Sequence, residues 1–249
     1  MERLQKRIAD SGLTSRRKAE ELIRQGRVSV NDELISEMGY LVKKDDVVKV
    51  DGKLLPEKER NIYLAINKPQ GYICTTDDEL GRKTIMDLVP EKYKKIRLFN
   101  LGRLDANTTG IIILTNDGAF KNQVAGPHSG IEKEYLVRVK GIVKSNEIKM
   151  LLNGITHDGV KYLPPLIYLE SVDKEHDSSL LTVVITDGKN HEIKNMFDYI
   201  NHPVKKLKRV RYGAVTIAGL NYGESRELTI HEVKLLINES KKEKNLRGR

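Results

Sequence analysis

The stretch Leu101-Gly102-Arg103-Leu104-Asp105-Ala106-Asn107-Thr108-Thr109-Gly110 is a polar loop between two apolar segments, and its one carboxylate is Asp105. A carboxylate at the mouth of a buried strand is held rigidly and can serve as a nucleophile or as a base. Gly102 and Gly110 allow close backbone approach or unusual torsions beside it. A plainer reading also fits, in which the side chain only stabilises its own turn. No second carboxylate accompanies the loop to supply the paired acid and base of a hydrolase. A second concentration of charge is Lys205, Lys206, Lys208, Arg209 and Arg211. Regular strand alternation puts Arg209 and Arg211 on one face and Lys206 and Lys208 on the other, so one face can meet a polyanion while the other is solvated.

The elements that must position these residues fall into two blocks. Residues 1–60 read as a small module: a helix over 3–11 stopped by Gly12, a second over 16–25 capped by Ser15, then short strands at 28–30 and 47–50 before an Asp51-Gly52 turn. Residues 1–30 hold eight basic and four acidic side chains, whereas 31–60 hold six and eight. Arg16, Arg17 and Lys18 open the second helix, where cations oppose the helix dipole. A phosphate backbone would favour them there; simple solvation is the alternative. Residues 56–60 form a linker.

The longer block reads as strands at 62–66, 110–114, 135–139, 180–185 and 210–217. Helices are expected at 84–89, 145–152 and 191–200, the last capped by Asn190, with Asn116-Asp117-Gly118 as a turn. Thr229 and Glu232 form a capping box for a final helix. Residues 239–249, with five basic and two acidic side chains, read as a disordered tail. Strands outnumber helices without βαβ regularity, which implies an α+β fold built on a mixed, mainly antiparallel sheet.

Composition narrows the function. The chain has 249 residues and a formal net charge of +9, which favours a nucleic-acid partner. Cys74 is the single cysteine, so no intrachain disulfide or Cys-rich metal site is possible, and a reducing cytoplasm is expected. The six histidines lack metal-ligand spacing; His128, His191 and His202 read as surface or hydrogen-bonded residues. No apolar run is long enough for a membrane span, and no signal-peptide pattern opens the chain.

Gly102-Arg103-Leu104-Asp105, Asn107-Thr108 and Gly110, followed by Leu114-Thr115-Asn116-Asp117-Gly118, resemble the catalytic motif of the RsuA/RluB/RluF-type ribosomal RNA pseudouridine synthases. Four further segments match that family in order. They are Asn67-Lys68-Pro69 with Gly71, Glu132-Lys133-Glu134-Tyr135-Leu136-Val137, Gly188-Lys189-Asn190-His191-Glu192-Ile193-Lys194 and Leu207-Lys208-Arg209-Val210-Arg211-Tyr212-Gly213. Residues 1–60, with Ser15-Arg16-Arg17, Gly26-Arg27-Val28 and Asn31, are similar to the RNA-binding domain of the fourth small-subunit ribosomal protein.

The resemblance implies a domain order: RNA-binding over 1–60, pseudouridine synthase over 61–238, tail over 239–249. It implies Asp105 as catalytic carboxylate, Lys194 as its counter-ion where many relatives carry arginine, and Tyr135 as the tyrosine that stacks on a flipped uracil. Arg103, Arg16, Arg17, Lys18, Arg27, Arg209 and Arg211 become the RNA-contacting cations. The bland alternatives are an exposed helix charge for Lys194, a strand aromatic for Tyr135 and a surface charge for Arg103. The implied reaction is an isomerisation that needs no cofactor or metal, by covalent attack of Asp105 or by glycal formation. The implied partner is ribosomal RNA or an assembly intermediate, met by a monomer, with a large-subunit uridine of the RluB branch as target. A ribosome-binding protein that keeps the fold without catalysis is the alternative; it would not need Asp105, Tyr135 and a cation at 194 together.

Overall fold

The structure, a computed structural model, describes residues 1–76, 78–126 and 129–247. It divides into two compact units. The first comprises Met1–Ile62, Glu91–Leu98 and Asn116–Gly118. Helices α1 (Leu4–Asp10) and α2 (Arg16–Arg24) precede a four-stranded sheet. Its strands are β1 (Val28–Val30), β2 (Glu33–Leu34), β3 (Val48–Val50) and β4 (Lys53–Leu54), in the order β2-β1-β3-β4. Leu4, Ile8, Ala19 and Ile23 close over Val28, Val30 and Val48 in one buried cluster, as the apolar periodicity requires. The Ser15 hydroxyl accepts from the Lys18 amide at 3.1 Å, giving α2 its start. The Asn116 side chain accepts from the Ile62 amide at 2.8 Å and donates to the Arg60 carbonyl at 2.9 Å, which ties this distant turn to the end of the unit.

The second unit is built on a nine-stranded sheet. Its principal strands are β5 (Tyr63–Lys68), β6 (Thr108–Thr115), β7 (Lys133–Lys140), β8 (Leu166–Asp173), β9 (Ser178–Ile185), β10 (Val204–Tyr212) and β11 (Ser225–Glu227). They run in the order β8-β9-β7-β10-β6-β5-β11, every neighbouring pair antiparallel except β10 with β6. The α+β class and the mixed, mainly antiparallel sheet are therefore as the sequence implied. Helices α3 (Gly118–Val124), α4 (Ser145–Leu152), α5 (Glu192–Tyr199) and α6 (Ile230–Arg247) complete the unit. Ile111, Ile113, Phe120, Tyr212 and Leu236 share its buried core.

Two local features set the site. At the parallel junction Gly110 adopts φ +106°, and a Cβ there would lie 2.0 Å from the Arg209 carbonyl oxygen. Only glycine lets β6 and β10 approach so closely. On β10 the register slips: Tyr135 faces Arg209 and Glu134 faces Arg211, so Val210 is the extra residue of a bulge. Directly paired residues share a face, so Arg209 points with Tyr135 and Arg211 with Glu134. The expectation that Arg209 and Arg211 share a face is thus corrected by the bulge.

Other expectations change too. The late strand begins at Val204 rather than at 210 and ends before Gly213, whose φ is +52°. Residue 118 opens helix α3 rather than only closing a turn. Asn190 does not cap α5; His191 occupies that place with φ +51°, and the Glu192 carboxylate instead accepts from the Lys189 amide at 2.9 Å. The segment expected to be a disordered tail is helical to Arg247, because α6 is docked by buried Leu236 and Ser240 and continues through strong helix formers. The side chain of Gln123 donates to the Ser240 hydroxyl at 3.1 Å. The capping box of α6 is present: the Thr229 hydroxyl accepts from the Glu232 amide at 3.1 Å and Glu232 accepts from the Thr229 amide at 2.8 Å. No helix among the described residues is long and apolar enough to cross a membrane.

Candidate active site

Asp105 lies in the loop that feeds β6, and several backbone bonds fix that loop. The Thr108 amide donates to the Asp105 carbonyl at 3.0 Å, and the Gly71 amide donates to the Ala106 carbonyl at 2.8 Å. Beneath it the fully buried Lys68 donates to the carbonyls of Pro69 and Ala106, at 3.1 and 3.3 Å. Burial lowers the pKa of Lys68, an effect partly opposed by the Asp105 carboxylate. The Leu104 amide donates to Cys74 Sγ at 3.3 Å, and burial pushes that thiol up, so it is held as a neutral acceptor.

The carboxylate meets α5. Lys194 Nζ is 2.5 Å from Asp105 Oδ2 and 3.1 Å from Asn107 Oδ1. His191 Nε2 is 3.5 Å from the other oxygen, Oδ1. His191 immediately precedes α5 and Lys194 lies in its first turn. A left-handed backbone at a non-glycine residue is uncommon, and here it turns the chain into α5 with the His191 ring beside Asp105. The three groups open on a cavity of about 970 Å³ that is also lined by Tyr135, Arg103, Leu207 and Arg209. Tyr135 is buried, so its ring is a wall of this cavity and not a surface aromatic. A rigid carboxylate, a cation on one of its oxygens and an aromatic wall suit attack on, or proton removal from, a substrate whose planar ring lies against that wall.

The expected RNA-contacting cations differ in their surroundings. Arg103 is exposed at the cavity rim. Arg16, Arg17 and Lys18 are exposed on the first turn of α2. Arg27 is instead clamped by Asp51, with bonds of 2.7 and 2.6 Å to its two oxygens. Arg211 is held by Glu134 at 2.9 Å and Glu132 at 3.1 Å. Arg209 is only 2% exposed and donates from Nε to the Ile111 carbonyl at 2.7 Å, so it lies under the cavity and not on a phosphate-facing surface. His202 bonds the Lys140 carbonyl at 2.8 Å, while His128 lies outside the described residues.

Two residues that sequence reasoning passed over belong here. His191 was read as an ordinary surface or bonded histidine; its left-handed backbone, which brings it beside Asp105, left no signal in the spacing. Lys133 was read only as part of a motif, yet its ammonium is part-buried and bonded to three backbone carbonyls.

Comparison with known proteins places the chain among relatives. The family model described as RNA pseudouridylate synthase matches residues 62–199, and the S4 domain model matches residues 2–53. The chain is 42% identical over 238 residues to a protein of Bacillus subtilis (strain 168) named ribosomal large subunit pseudouridine synthase B, covering 95% of this chain and 96% of that one. It is 36% identical to a protein of the same name from Vibrio vulnificus (strain CMCP6), covering 94% of this chain and 74% of that one. Among solved structures, one titled as a pseudouridylate synthase superposes with a TM-score of 0.67 at 31% identity, covering 95% of this chain and 100% of that one.

Proposed function

The chain belongs to the RNA pseudouridylate synthase family, and from that premise we propose that it isomerises a uridine of large-subunit ribosomal RNA with Asp105 as the catalytic carboxylate. In this reaction the N1–C1′ glycosidic bond of uridine breaks and a C5–C1′ bond forms. The base loses the hydrogen on C5 and gains one on N1, so atoms and charge balance without a co-reactant.

The observation that carries the reading is the 2.5 Å contact of Lys194 with one oxygen of Asp105, inside a cavity walled by Tyr135. The ammonium pairs with one carboxylate oxygen and so orients the group that either covalent attack or ribose deprotonation would use. It holds one oxygen and leaves the other toward His191 and the cavity. Tyr135 offers a face for a base removed from its stack, and a single base enters most easily where RNA is already unpaired. Exposed Arg103 is placed to meet phosphate beside the extruded nucleotide. Arg16, Arg17 and Lys18 on the S4-type unit supply sequence-independent anchoring. The relatives' names supply the large-subunit target, and the cytoplasm is where that RNA is met.

Pseudouridine mapping of ribosomal RNA tests this directly. A strain lacking the gene should miss one large-subunit modification, regained with the wild-type chain and not with Asp105→Asn. Full restoration by Asp105→Asn would remove Asp105 from the chemistry. A complete set of modifications in the deletion strain would remove ribosomal RNA as the substrate.

A further inference from the structure

We propose that Lys133 is a positioning residue: its ammonium ties residues 186 and 187 to the start of β7 and so fixes where α5 delivers Lys194 to Asp105. The proposal rests on the pseudouridine-forming reading above. Lys133 Nζ donates to the carbonyls of Ile131 at 3.0 Å, Thr186 at 2.7 Å and Asp187 at 3.1 Å. An ammonium has three donors, and all three are used on backbone. Ile131 lies just before β7, while Thr186 and Asp187 follow β9 directly. From Asp187 the chain needs only a short turn to reach His191 and the first residues of α5.

That turn is held at its far end by the Lys189 amide on the Glu192 carboxylate, at 2.9 Å. Lys133 therefore holds one end and Glu192 the other, and between them they set the origin of the helix that carries the counter-ion. A catalytic group displaced by about an ångström can lose on the order of 100-fold in rate, so such a tie matters without touching substrate.

The charge state of the tie matters as well. Arg209 on β10 opposes the ammonium, Glu192 on α5 and Asp187 in the turn favour it, and the Tyr212 ring on β10 lies 5.8 Å from Nζ. Tyr135 shares its face two residues along β7. Burial, with Arg209, pushes Lys133 down to about 8. A neutral amine keeps two donors and turns a lone pair toward a third carbonyl, so the tie weakens as pH rises through that value.

Single-turnover release of tritium from RNA carrying [5-³H]uridine, followed between about pH 6 and pH 9.5, tests the assignment with four enzymes: wild type, Lys133→Met, Lys133→Arg and Asp105→Asn. Lys133→Met should release tritium about 10- to 100-fold more slowly while binding RNA with unchanged affinity. The wild-type rate should fall as pH rises through about 8, and in Lys133→Arg, whose guanidinium stays charged, that limb should move to higher pH. A wild-type rate in a folded Lys133→Met enzyme overturns the proposal, as does an unmoved alkaline limb in Lys133→Arg, which remains informative if the Met variant does not fold. Tritium release by Asp105→Asn at the wild-type rate overturns the underlying reading instead, so the two failures are told apart.

Discussion

Replacing Lys194 by alanine removes the ammonium that sits 2.5 Å from Asp105 Oδ2 and also bonds Asn107. A hydrogen bond to a charged group contributes about 1.5–3 kcal/mol. The side chains of Lys194 and Asp105 are 22% and 33% exposed, so water can re-enter and part of that is recovered. His191 offers incomplete replacement, because it faces the other oxygen at 3.5 Å and adds charge only when protonated. A loss of about 1.4–2.8 kcal/mol in the transition state follows, equal to a fall of about 10- to 100-fold in rate. The assay is single-turnover tritium release near neutral pH, with RNA affinity measured alongside by filter binding. Affinity should stay nearly constant, since the lost contact is to an enzyme group, and Lys194→Arg should recover most of the rate by keeping the charge. Lys194→Ala turning over at the wild-type rate would falsify the pairing as a catalytic device and return Lys194 to the status of an ordinary helix charge.

Gly110→Ala should cost about 3–5 kcal/mol in urea unfolding, since the new Cβ would meet the Arg209 carbonyl at 2.0 Å in a backbone disfavoured for alanine; a loss below about 1 kcal/mol would mean that the strands separate easily. Changing Arg16, Arg17 and Lys18 together to glutamine should flatten the slope of log affinity for RNA against log salt by about 2–3 if all three meet phosphate, and an unchanged slope would take α2 out of the interface. Glu192 supplies a pH test. It is buried and its pKa is raised above the ordinary 4.5, chiefly by burial. A carboxyl raised in this way contributes stability that is fully present below 4.5 and is lost as pH rises through its folded value. The stability of wild type relative to Glu192→Gln should therefore decline from acid toward neutral pH, and a difference constant across that window would contradict the burial argument.

The local elements were legible wherever one face was buried and periodic. Both helices of the S4-type unit, α4, and the strands around Ile111 and Val137 follow directly from alternation or a 3.6-residue period. Edge strand β8 carried no such signal, because most of its residues are exposed on both faces, including Leu166 and Tyr168. The motif singled out the Asp105 loop and the resemblance singled out Lys194, and the two meet at one cavity. The faces of Arg209 and Arg211 were not, because a bulge depends on the partner strand and not on the strand that contains it. Nor could spacing reveal that Arg27 and Arg211 are already neutralised, since Asp51 and Glu132 are distant in sequence. His191 was hidden by a backbone conformation that few non-glycine residues adopt.

The extra residue at Val210 works like a dislocation in the strand's phase. Before it, the odd positions Leu207 and Arg209 face the cavity; after it, the even position Tyr212 faces the same way and joins the core with Leu236. One continuous ribbon thus keeps Leu207, Arg209 and Tyr212 along the same chamber through a change of phase, with Tyr212 also packed in the core. Two arginines only two positions apart are consigned to opposite environments, one buried beneath the cavity and one locked between carboxylates. An alignment that treats this strand as uniformly alternating will pair the wrong arginine with the chamber, so variant libraries aimed at the cavity should vary position 209 and leave 211 as a brace for the outer face.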